Sequence, residues 1–100
     1  MALKLRADDE HADALRDLLD AYEGLEHLRI RRRADLLTLE SGDEADPIAH
    51  VRFRRSSVHL WTLECATHTG RWERTGFRDP LPRLVNLVVT TLPWTIAPIE

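Results

Sequence analysis

Ile48-Ala49-His50-Val51-Arg52-Phe53-Arg54-Arg55, Ser56-Ser57 and Val58-His59-Leu60-Trp61-Thr62-Leu63-Glu64-Cys65 form the stretch on which the fold turns. Apolar and polar residues alternate along both long runs, the pattern of antiparallel strands with one buried face. Ser56-Ser57, read as a two-residue turn, sets Phe53 opposite Leu60 and Val51 opposite Thr62 on one face. The other face then holds Arg52 opposite Trp61, Arg54 opposite His59 and His50 opposite Leu63.

The same period of two appears upstream, in His27-Leu28-Arg29-Ile30-Arg31 and Leu37-Thr38-Leu39-Glu40. A turn centred on Arg33-Ala34 pairs Ile30 with Leu37 and Leu28 with Leu39, all four on the buried side. Ser41-Gly42-Asp43-Glu44-Ala45-Asp46-Pro47 is an exposed acidic loop between the hairpins. Downstream, Thr67–Gly70 is expected as a four-residue turn into a fifth strand, Arg71–Phe77. That turn sets Cys65 opposite Trp72 and Leu63 opposite Arg74.

Helical spacing flanks the strands. Ala12, Leu15, Leu18, Leu19 and Tyr22 make one apolar stripe behind an acidic first turn, with Asp8 or Asp9 as the N-cap and Gly24 at the end. Leu81, Leu84, Val85, Leu87, Val88, Val89 and Leu92 make a second helix, opened by Asp79-Pro80 and stopped by Pro93. Leu3-Lys4-Leu5 is a candidate edge strand, and Trp94–Ile99 an apolar tail over a core edge. The expected fold is α+β: N-terminal helix, five-stranded antiparallel meander, C-terminal helix, with both helices on one sheet face. The 100 residues are one domain, with Leu28, Ile30, Leu37, Leu39, Val51, Phe53, Leu60 and Phe77 under Leu15, Leu18, Leu84, Leu87 and Val88.

Composition excludes several function classes. One cysteine rules out a disulfide framework and a zinc site of paired cysteines. No apolar run approaches the roughly 20 residues of a membrane span, and a soluble cytoplasmic protein is expected. No cofactor is expected. His50, His59 and His68 are nine residues apart, yet the pairing separates them and arginines surround them, so no metal site is expected. Cys65 lies diagonal to His50, a marginal arrangement for a nucleophile and its base. Glu64 and Glu73 face each other only weakly as an acid–base pair. An enzyme built on either set is the minor reading.

One face exceeds the background. Arg29, Arg31, Arg52, Arg54, His59, Trp61, Trp72 and Arg74 are expected together on the sheet surface away from the helices, beside His50, Leu63 and Cys65. Tryptophan and arginine are the residues of interface hot spots. The expected function is binding through that face, to a second copy in a homodimer or to another protein. Single-stranded nucleic acid, with bases stacked on Trp61 and Trp72, and a small anionic ligand are the alternatives. The formal net charge of −3 weighs against nucleic acid. Arginine stems that merely cover the indoles would make the face self-contained.

Overall fold

A computed structural model describes residues 5–98. Helix α1 (Asp9–Asp20) leads into strands β1 (Arg29–Arg33), β2 (Leu36–Ser41), β3 (Ile48–Arg55), β4 (Trp61–Ala66) and β5 (Trp72–Asp79). Helix α2 (Leu81–Thr91) and a 3-10 turn (Pro93–Thr95) follow. The strands form one antiparallel sheet in the order β1-β2-β3-β4-β5, and both helices cover one face of it, as the period-two pattern with flanking amphipathic helices predicts. Leu15 and Leu19 of α1, and Leu84, Val85 and Val88 of α2, close over Leu28, Leu37, Leu39, Val51 and Phe53. The candidate strand residues Leu3 and Lys4 lie outside the described residues. Asp8 is the N-cap of α1, but Pro80 rather than Asp79 occupies that place in α2, because β5 runs on through Asp79.

The registers differ from expectation in an instructive way. The first turn is Ala34-Asp35, with Ala34 in the left-handed region at φ 53°. Ile30 therefore faces Leu39, and Arg32 faces Leu37. The turn has moved by one residue, so the pairing slips by two and no side chain changes face. The turn between β3 and β4 is instead a five-residue loop, residues 56–60, closed by the Ser56 and Ser57 N–H groups on the Leu60 carbonyl. Two-residue hairpin turns favour Gly, Asn or Asp at positions of positive φ, and Ser56-Ser57 offers none. An odd change in loop length inverts the following strand, so Phe53 faces Leu63 and Val51 faces Cys65.

Trp61 and Leu63 consequently lie in the core, 3% and 0% exposed. Leu60 is half-buried in the loop, and His59 is exposed there. The next loop is five residues, 67–71, rather than four, and this second odd error cancels the first: Trp72 stays on the open face, now paired with Ala66. Phe77 does not join the core. The β4–β5 register breaks between Thr62 and Glu64, Gly76 takes φ 82°, and the Thr75 hydroxyl donates to the Leu63 carbonyl at 2.8 Å. This irregularity leaves Phe77 42% exposed.

Two substitutions separate the tryptophans. Trp61→Ala empties a core site and is expected to cost about 3–5 kcal/mol, whereas Trp72→Ala loses a partly exposed cation–π contact of about 0.5–1 kcal/mol. Urea unfolding of both variants is the check, and equal losses would contradict the register.

Candidate functional site

The open face is an arginine-plated sheet. Alternation places Arg29, Arg31 and Arg33 of β1, Arg52 and Arg54 of β3, and Arg74 of β5 on it, with Glu40 of β2 and Glu64 of β4 between them. Glu64 lies at its centre and is only 2% exposed. Its carboxylate accepts from Arg52 Nε at 2.6 Å and Arg54 Nε at 3.2 Å. Arg54 also holds Asp35 at 3.1 Å, and Arg31 reaches Glu40 at 3.3 Å. The Arg52 guanidinium stacks 4.2 Å from the centre of the Trp72 ring. Burial pushes the Glu64 carboxyl up, but the hydrogen bonds and charge of Arg52 and Arg54 outweigh it and hold the group below the usual carboxylate range.

The eight side chains expected on this face therefore divide. Arg29, Arg31, Arg52, Arg54, Trp72 and Arg74 share it. Trp61 does not: its ring lies beneath α1, with His11 edge-on at 5.3 Å, because the five-residue loop inverts β4. His59 stays in that loop. Leu63 and Cys65 turn to the helix side for the same reason as Trp61. Sequence reasoning missed Glu64 as the hub of the face, although its position between Leu63 and Cys65 marks it once the register is right.

His50 leaves the open face through a β-bulge. Leu39 faces Val51 and Glu40 faces Ala49, so His50 is the extra residue of β3. Its ring is buried, with Nε2 2.6 Å from the Ser41 hydroxyl and Nδ1 donating to the Thr95 carbonyl at 3.0 Å. A cleft of about 950 Å³ opens beside it, between the ends of β3, β4 and β5 and the segment after α2. Cys65, Glu73 and Phe77 line this cleft, as does Trp94, which is 70% exposed. Burial, together with the charge of Glu73, raises the Cys65 thiol above its ordinary value, which favours the thiol over the nucleophilic thiolate. Glu64 and Glu73 stand on opposite faces of the sheet, since Glu64 faces Arg74 while Glu73 faces Cys65. They do not form a carboxylate pair. His50, His59 and His68 occupy a bulge, a loop and a turn. The Asp8, Glu10 and His11 side chains cluster at the start of α1, where the Asp8 N–H donates to His11 Nδ1 at 2.9 Å. No described helix is long and apolar enough to cross a membrane.

No family model matches the chain, and no curated protein or solved structure is significantly similar to it.

Glu64→Gln leaves Arg52 and Arg54 without their shared carboxylate and is expected to cost about 1–3 kcal/mol at pH 7. Because the folded-state pKa is lowered, this contribution is complete above the usual carboxylate range and fades as pH falls through the lowered value. Urea unfolding from pH 7 to pH 3 should show the gap between the native and Glu64→Gln proteins closing with acid. A gap independent of pH would refute the assignment.

Proposed function

We propose that the protein is an interaction domain whose open sheet face docks an acidic surface of a partner protein. The observation that carries this reading is unspent positive charge. Among the described residues Arg29, Arg33 and Arg74 have no carboxylate partner, while Arg31, Arg52 and Arg54 do. Arg29 spends Nη1 on the Gly42 carbonyl and its Nη2 is buried, so the open guanidinium forks are those of the exposed Arg33 and Arg74. A planar fork with free donors suits a carboxylate.

Charge also selects among partners. Two copies meeting face to face across a two-fold axis would bring like-charged rows together. Nucleic acid is disfavoured for a different reason. Trp61 is buried and Arg52 occupies one face of Trp72, so the pair of stacking platforms such binding relies on is absent from this face. The exposed acids of α1, including Asp13, Asp17 and Asp20, lie on the helix side, and the carboxylates on the sheet face, Glu40 and Glu64, are buried and engaged by Arg31, Arg52 and Arg54.

The test is fluorescence anisotropy with labelled poly-glutamate and, separately, labelled oligothymidine at low salt. Poly-glutamate is expected to bind, to weaken steeply as salt rises, and to lose at least about tenfold in affinity in an Arg29→Glu, Arg33→Glu, Arg74→Glu variant. Failure to bind, or an unaffected variant, would overturn the reading. Stronger binding of oligothymidine than of poly-glutamate would replace it with the nucleic-acid alternative.

A further inference from the structure

The side of the core away from the arginine face carries the opposite charge. On α1, Leu15 and Leu19 are buried against the core, while Glu10, Asp13 and Asp17 form an exposed stripe along the outer side of the helix. Among the described residues none of these three carboxylates has an ion-pair partner, whereas Arg32 holds Asp9 at 2.8 Å and Arg16 holds Asp20 at 3.0 Å. Like charges three and four residues apart on a helix repel one another. The stripe therefore gains from a cation brought to it from outside.

Shape adds to charge. Beside the stripe a groove of about 530 Å³ separates α1 from the start of α2 and the β3–β4 loop. Ala14, Leu18, Ala21, Val58 and Pro82 give it apolar walls, and Asp17 lines it as well. Val58 is 59% exposed there. An apolar trough with a carboxylate on it matches the two parts of an arginine side chain, the stem and the guanidinium. The cations of the two helices do not compete for it: Arg16 is engaged by Asp20, and Arg83 lines a separate hollow with Asp79.

We propose that the acidic surface docked by the arginine face is the helix layer of a second copy, so that copies stack head to tail. This rests on the docking reading above and names its partner. The exposed Arg33 and Arg74 of one copy meet the Glu10, Asp13 and Asp17 stripe of the next. The two surfaces lie on opposite sides of one two-layer domain, so neighbours are related by a displacement across the layers and not by a two-fold axis. Like charges are never brought together, in contrast to two open faces meeting. Each contact relieves both arrays at once, the unpaired guanidinium groups and the self-repelling carboxylates. One contact leaves an arginine face and an acidic stripe unoccupied at the two ends of the pair, so further copies add layer on layer. The attraction acts between exposed charges and is therefore weak and screened by salt.

Sedimentation velocity of the full chain, set beside poly-glutamate binding, tests the stack. At about 0.01 M ionic strength the native protein is expected to form oligomers that grow with concentration. It should shift toward monomer by about 0.15 M, as the screening length shortens from about 30 Å to about 8 Å. An Arg33→Gln, Arg74→Gln variant neutralises the open face, and a Glu10→Gln, Asp13→Asn, Asp17→Asn variant neutralises the stripe. Each is expected to self-associate at least about tenfold more weakly than the native protein. Mixed together they should form a complex that stops at one copy of each, because one variant supplies an intact stripe and the other an intact arginine face. The stripe variant should still bind poly-glutamate, which shows that its open face is undamaged. A native protein that stays monomeric at low salt, undiminished association of the stripe variant, or no complex in the mixture would each overturn the stack. With poly-glutamate still bound by the native protein, those results leave the docking reading standing. Failure of the native protein both to associate and to bind poly-glutamate would remove that reading too.

Discussion

The pairing of Phe53 with Leu63 across β3 and β4 is the constraint from which the other features follow. It sets Val51, Phe53, Trp61, Leu63 and Cys65 toward the helices and leaves Arg52, Arg54 and Glu64 on the other side. Shifting β4 by one residue would expose Trp61 and Leu63 and bury Glu64 against apolar neighbours. Neither half of that exchange is tolerable: the first gives up several kcal/mol of apolar burial, and the second strands a carboxylate away from its guanidinium partners. The five-residue loop between the strands is the length that makes the favourable register possible. The hydrophobic core and the arginine network thus select the same pairing from opposite faces of one hairpin.

Much of the fold is legible in the sequence because periodicity and capping are local signals. The meander order, both helices, the side they cover and the burial of Leu37, Leu39, Val51 and Phe53 all follow from residues within a few positions of one another. The site was less legible. The face of Trp61 depended on whether residues 56–60 form two or five positions of loop, a parity that alternation alone does not reveal, since Val58-His59-Leu60-Trp61 alternates in either register. The lack of any Gly, Asn or Asp at Ser56-Ser57 is the signal that would have favoured the longer loop. The bulge at His50 had no comparable local marker. It exists because Ser41 and Thr95 both bond a ring on the helix side, and those partners come from two other segments of the chain.

Charge separates the molecule into two unlike sides. The helix layer presents the carboxylates of α1, while the open sheet presents guanidinium groups, some locked around Glu64 and Glu40 and others free. The locked groups make the centre of the sheet rigid and self-satisfied, in keeping with the role of arginine stems as cover for an indole. The free ones stand toward the margins, on β1 and β5. A surface built this way has a fixed middle and adaptable borders, so docking energy on the proposed reading comes from the borders while the middle supplies shape.

An open sheet also has two outer strands, and each invites another chain to extend the ladder. Here the two are blunted by different means. β1 carries arginine at four of its five positions, Arg29, Arg31, Arg32 and Arg33, so a second copy aligned against it would meet a run of like charge. β5 is broken by the Thr75–Phe77 irregularity, and Thr75 turns its hydroxyl inward to the Leu63 carbonyl. A straight incoming strand finds no even row of donors and acceptors there. The protein can therefore keep one face of its sheet uncovered without growing end to end into fibrils, and on the proposed reading other chains meet its broad surface rather than its rims.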